Sequence, residues 1–527
     1  MGLLISSFVI LVAVAASNII AKYIPGISRT YINLAVGVLV GLIPMTNHLV
    51  LDFNDNVFMI LILAPLLFFE GQTTPLLTVR KKVKSIVGTA VVLAVLSAIL
   101  VAIVIHKTFN LIIPVALIIV AISTPTDATA FDSVVEGRKI SQSLKNNLKM
   151  ESLFNDATGI ILLQAATLWL STGHLSLWGN VTAFLVSAIG GIVVGSILAF
   201  AFMAFRQYFV RSTNNVISSQ TLIYILTPFC IYFLAEKLGV SGIIAVVSAG
   251  LVHNSEANRS RFSSPRQMHL GLQMINFANE VLNSFVFVVL GISLERIFFS
   301  RYNIMISSLK WLAVGIVVYV LLLGCRYVYA RFFIGDKRRL TASLFALGGV
   351  HGTVTLAMTF SIGSEIPRST FHFIIIVETV VIILSMLVPT IVFKFILPID
   401  ADEQNRADEL QRLRHEMVIV GINQVKSMTL TAEVSASVIY DLRDQTQKNT
   451  LKSFYRQWHA VTSNKAMLTG LQSVEERRAL MHALDAERQY LYTLAKRHMV
   501  SSDYVYEIYS EILLSESLVL DPKNQMI

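Results

Sequence analysis

Charge is scarce in this chain. Of 527 residues only 14% are Asp, Glu, Lys or Arg while 54% are hydrophobic, which excludes a solvated, disordered chain, since that needs few apolar groups and high net charge. Cysteine is scarcer still. The two present, Cys230 and Cys325, lie inside apolar segments and read as packing residues, not as a disulfide or a metal pair. No positive stretch precedes the first apolar run, which argues against a cleaved signal peptide. No glycine fingerprint for a nucleotide appears in the polar C-terminal part. The short alternating segments of a membrane barrel are missing too.

What is present is a train of apolar runs from Met1 to about Leu397, each long enough to cross a hydrocarbon core of about 30 Å. In lipid the backbone must bond to itself, so the expected fold class is an all-α polytopic membrane protein. Hydropathy gives about thirteen spans: 2–22, 31–45, 56–73, 84–106, 111–133, 147–171, 179–205, 220–236, 240–253, 270–294, 306–331, 340–363 and 371–397. Loop charge supports the alternation. Nineteen Lys and Arg residues, including Arg80, Lys81, Lys82, Arg338 and Arg339, fall in one set of alternate loops, and only Lys107, Lys237, Arg296, Arg301 and Arg368 in the other. The excess of positive charge inside then puts the N-terminus outside and the C-terminus in the cytoplasm.

From Asp400 to Ile527 the sequence turns polar, with 18 acidic and 15 basic residues, so the positive excess behind the formal charge of +9 lies in the membrane part. That basicity is topology and signals no nucleic-acid partner. Apolar residues such as Leu410, Leu413, Met417 and Val418 recur at helical spacing within the polar part. Two domains follow: a transmembrane domain over 1–399, and an α-helical cytoplasmic tail over 400–527 that is regulatory or supports a dimer.

Two spans are interrupted. Ser123-Thr124-Pro125-Thr126-Asp127 breaks the fifth, and Gly348-Gly349-Val350-His351-Gly352 the twelfth. They run in opposite directions seven spans apart, so helices 1–6 and 8–13 can form an inverted repeat, and broken helices at corresponding places in such halves point to a midplane ion site. The sixth span carries Glu151-Ser152-Leu153-Phe154-Asn155-Asp156 at a depth where charge is a functional signal. Ser152 and Asp156 share one helix face, Glu151 and Asn155 the next. A hydroxyl, a carboxylate and either the Thr126 hydroxyl or a carbonyl freed near Pro125 suit a hard monovalent cation. A carboxylate removed from water also binds a proton readily; one that holds either a proton or a cation exchanges them by competition. Asp127 joins this site or serves the amide end of a broken helix. Arg326 needs a buried acid, Glu151 first and Asp127 second, as a structural brace. Glu70 and Glu280 lie in corresponding spans, and Glu378 has no evident partner.

Thr126-Asp127, Glu151-Ser152-x-x-Asn155-Asp156, Arg326 and the Gly348-Gly349-x-x-Gly352 break together resemble the monovalent cation:proton antiporters of the sodium/proton exchanger type, over about residues 1–397. The resemblance implies a homodimer whose mobile core domain holds two crossed broken helices and works as an elevator. It implies Asp156 as the cation- and proton-binding carboxylate with Ser152 and Thr126 as ligands, Glu151 and Arg326 as bracing residues, and Asn155 helping to hold the site. The Asn155-Asp156 pair is similar to the electroneutral bacterial branch, with one cation exchanged for one proton. Where the family often has arginine, this chain has His351, which is either a pH sensor or a neutral hydrogen-bonded residue. The function expected is exchange of Na+, Li+ or K+ for H+ across a bacterial plasma membrane, with no cofactor and no enzymatic activity. A potassium-selective antiporter, and an ion sensor or channel signalling through the tail, are the other readings of the same residues.

Overall fold

Apolar runs become helices because nothing else in lipid satisfies their backbone. The structure, a computed structural model, describes residues 2–24, 27–51, 54–74, 76–174, 177–211, 217–260, 265–297, 309–334, 338–363, 365–399, 401–446, 469–497 and 500–520. Among these the regular elements are all helical. The chain forms two compact units, Met1–Pro398 and Ile399–Ile527.

In the first unit, seven helices among the described residues are long and apolar enough to cross a membrane. Arg29–Leu42, Met59–Thr73, Ile113–Ile122 and Gly242–Asn254 are shorter apolar helices. Local chemistry sets several ends. The Ser141 hydroxyl accepts the Leu144 N–H at the start of Gln142–Thr172, and Gly173, at φ 75°, ends that helix in the left-handed conformation. Asn110 ends Ala94–Phe109 in the same way, at φ 51°. π turns, Met59–Leu63 and Gly88–Leu93, interrupt two helices without ending them.

Small residues let the helices approach closely. Gly37 and Gly291 bring Arg29–Leu42 against Pro265–Glu295, where a β-carbon on either glycine would collide with the other helix's backbone. Gly71 and Gly250 do the same for Ala64–Thr73 and Gly242–Ser260. Along Leu177–Arg211, by contrast, Val186, Ile189, Val193, Ile197 and Phe200 stand exposed on one face.

Both interruptions read from the sequence are present. Ile113–Ile122 stops at Ser123 and the chain resumes as Ala128–Val134; Arg339–Leu347 stops at Gly348 and resumes as Thr353–Ser361. The two gaps touch, because the Asp127 N–H donates to the Val350 carbonyl at 2.7 Å. Gln142–Thr172 crosses beside the first gap at Gly159, where any side chain would strike the Pro125 ring.

The second unit has its own core, built from Leu413, Val418, Val434, Leu442, Ala483 and Ile508 among others. Its described helices are Ala401–Lys426, Ala432–Asp444, Gly470–Lys496 and Ser502–Leu520. A capping box between Thr469 and Gln472 starts the third of them.

Candidate functional site

A broken helix exposes carbonyls at one stump and amides at the other. Gln142–Thr172 supplies what the first break lacks. Ser152 Oγ donates to the Thr126 carbonyl at 2.7 Å and accepts the Ala128 N–H at 3.0 Å, so one hydroxyl stitches both sides of the gap. Asn155 Nδ2 donates to Thr126 Oγ1 at 3.0 Å. Asp127 caps the second stump: its Oδ1 accepts the Thr129 and Ala130 N–H groups and the Thr129 hydroxyl, at 2.9, 3.0 and 2.6 Å. A side chain at Gly352 would collide with the same carboxylate, so Asp127 also lies against the start of Thr353–Ser361. A negative group thus faces the amide ends of two half-helices, the sign their dipoles favour.

The carbonyl end of Arg339–Leu347 receives a cation. Arg326, on Lys310–Phe333, forms a forked ion pair with both Glu151 oxygens, the Nη2–Oε2 contact being 3.1 Å, and donates to the Phe345 carbonyl at 3.2 Å. Its guanidinium lies over the Phe345 ring, 4.7 Å from the centroid. Gly349 is required here, because any side chain would strike Arg326. Arg326 therefore takes the first of the two acids expected for it.

His351 is 3% exposed; its backbone N–H donates to Ser385 Oγ at 2.9 Å and its Nδ1 lies 2.8 Å from the Pro125 carbonyl. A carbonyl only accepts, so Nδ1 carries the proton and the ring caps an acceptor freed by the break. Glu378, fully buried, accepts from Ser123 Oγ at 2.7 Å. Arg368–Ile396 thus holds one gap through Glu378 and the other through Ser385. The sequence names no partner for Glu378 and does not single out Ser385; the seven-residue spacing of Glu378 and Ser385, two helical turns on one face, is the signal it offers. Glu280 pairs with Arg29 on a half-exposed surface and lies apart from these contacts.

Asp156 differs from its neighbours. It is 2% exposed and its Oδ1 has no hydrogen-bond partner. The charges acting on it are those of Asp127 and Glu70, both acidic. Of the residues expected at the site, Thr126, Ser152, Asn155 and Asp127 meet at the first break, Glu151 and Arg326 brace the second, and His351 links the two. A narrow cleft opens beside them, lined by Thr126, Glu151, Asn155, Tyr319, Arg326 and His351.

The model of the transmembrane sodium/hydrogen exchanger family matches residues 7–398. The chain belongs to the sodium/hydrogen exchanger family. This exchanger is similar to a sodium, potassium, lithium and rubidium/H+ antiporter of Bacillus pumilus, 27% identical over 96% of this chain and 77% of that protein. The corresponding antiporter of Bacillus subtilis is also 27% identical, over 92% of this chain and 75% of its own. In fold the exchanger resembles the sodium proton antiporter MjNhaP1 of Methanocaldococcus jannaschii, with a TM-score of 0.57 at 19% identity, covering 75% of this chain and 97% of that one. Its relatives are transporters, not enzymes, and the ions they move are substrates.

Proposed function

We propose that this exchanger moves Na+, with K+ and Li+ as further substrates, outward against H+ across a bacterial plasma membrane, one cation for one proton and without net charge. The observation that carries the reading is Asp156: a buried carboxylate with an oxygen left without a partner, beside two more acids and next to a broken helix whose carbonyl and hydroxyl oxygens are within reach of its own helix. Ser152 Oγ and the Thr126 oxygens each keep a lone pair beyond their present hydrogen bonds and add ligands of the kind a hard monovalent cation takes. Asp127 already serves as a cap, so its part is to add negative field at Asp156. A cation displaces the proton on Asp156, and a proton displaces the cation. The Bacillus relatives' names, which include potassium, lithium and rubidium, favour a broad cation range.

The remaining architecture is part of the same reading. Thirteen spans form inverted halves, helices 1–6 and 8–13, with the N-terminus outside and Ile399–Ile527 in the cytoplasm. The touching broken helices move with Asp156 as an elevator-like core. The exposed apolar face of Leu177–Arg211 meets lipid or the second copy of a homodimer. His351 acts as a neutral donor that ties the breaks together.

The test is cation-driven proton flux in proteoliposomes under a clamped membrane potential, with Na+ and K+ in turn. Flux that ignores the potential and vanishes in Asp156→Ala and Asp156→Asn is the expected result. Flux that survives both substitutions overturns the assignment of Asp156; flux that follows the potential overturns the one-for-one stoichiometry.

A further inference from the structure

Among the described residues of the C-terminal unit three glutamates are buried, and two of them have partners. Glu476 accepts from the Ser437 hydroxyl, and Glu516 pairs with Arg488 at 3.4 Å. The third, Glu487, is 0% exposed on Gly470–Lys496; no hydrogen bond of regular geometry reaches either oxygen, and the Gln445 side chain is the one polar group among the described residues that acts on it. It lies where Gly470–Lys496 packs on Ala401–Lys426, against Gly421, and a β-carbon there would crowd the carboxyl at 2.5 Å. Among the described residues no cation pairs with it. On the same helices Arg412 pairs with Glu409 and Glu416, Arg414 with Glu511, and Arg488 with Asp485 as well as Glu516, while Glu416 accepts from the Tyr490 hydroxyl. Among the described residues an ionised carboxylate in this position has only the Gln445 side chain to offset its loss of water, whereas the neutral acid fits.

We propose that Glu487 is a proton-binding site of the C-terminal unit: with its proton bound, Gly470–Lys496 and Ala401–Lys426 close on each other at Gly421, and with the proton gone they part. Burial pushes the Glu487 carboxyl up from its ordinary 4.5 to about 8, eased only by the Gln445 side chain. The closed form binds the proton that the opened form releases, so opening becomes more favourable as pH rises from about 4.5 to about 8 and levels off above. Resting on the exchanger reading, this gives the protein a response to alkalinity on the side its C-terminal unit faces, the condition in which importing protons is useful.

Hydrogen exchange of the full chain in nanodiscs, at pH 6.5 and pH 9 with labelling times corrected for the chemical rate, tests the site. In the native chain, protection of Ala401–Lys426 and Gly470–Lys496 falls by roughly tenfold or more, with a midpoint near 8, and in Glu487→Gln it stays constant. Native protection that does not change with pH, or an equal fall in Glu487→Gln, overturns the proposal. Should Glu487→Gln lack protection at both values, the native titration alone decides, through the presence or absence of that midpoint. Proton flux of the same samples separates the two readings. A protection contrast without flux in any sample leaves the site and removes the exchanger reading, while normal flux without the contrast does the reverse.

Discussion

Ser152 is the smallest group with the largest structural duty, since its hydroxyl serves a carbonyl on one side of the first break and an amide on the other. Ser152→Ala leaves both buried and unsatisfied, at a cost of about 1–3 kcal/mol for each group. Thermal unfolding in detergent is expected to show that loss, and Ser152→Thr, which keeps the hydroxyl, to recover most of it. Arg326→Ala strands Glu151 in the core and is expected to cost about 3–5 kcal/mol, whereas Glu151→Leu combined with Arg326→Leu costs less than either single change. A double-mutant cycle on unfolding midpoints measures the difference. The chemistry of these residues was legible in the sequence, because a guanidinium at that depth demands an acid and a four-residue spacing puts Ser152 beside Asp156. The partners of Ser152 were not legible, since they are backbone groups of another element. Nor was the tie between Ser123 and Glu378, because a single hydroxyl in an apolar helix carries no sign of what it faces.

At the level of elements, proline and clustered glycines marked both breaks, and apolar runs marked the helices around them. Hydropathy started the fourth span at 84, yet helix begins at Leu76, because Arg80, Lys81 and Lys82 are good helix formers that hydropathy counts against a span. The π turns have no compositional signature and were not foreseen. The approach of Arg29–Leu42 to Pro265–Glu295 had one in Gly37-x-x-x-Gly41, but its mate at Gly291 is fixed only by the fold. Gly291→Val forces a side chain into the Leu34 carbonyl and is expected to lower the unfolding midpoint sharply, by about 1–3 kcal/mol or more. Gly137, at φ 71° with open space around it, is the control: Gly137→Ala carries only the left-handed backbone penalty of about 1–2 kcal/mol and leaves helix packing intact.

For the whole molecule, competition on one carboxylate has a kinetic signature. Lowering the pH fills Asp156 with protons, so the half-saturating Na+ concentration is expected to rise as pH falls while the maximal rate at saturating Na+ stays level; initial rates in proteoliposomes at several pH values measure it. A maximal rate that falls in step with the affinity would mean separate sites for the two ions. Composition separates an apolar part from a polar one, whereas Glu487 carries no mark in the sequence that sets it apart from other charged residues of an amphipathic helix. The ion pair of Glu151 and Arg326 joins residues 175 apart in the chain. Ribosomes add about 5–20 residues per second, so Glu151 waits roughly 10–35 s in the bilayer before its partner is made. Throughout that interval the nascent chain carries an acid that must hold a proton or face water, because the guanidinium on Lys310–Phe333 is not yet made. A lesion at Arg326 would then show itself first at the translocon and to membrane proteases, as protein that never accumulates.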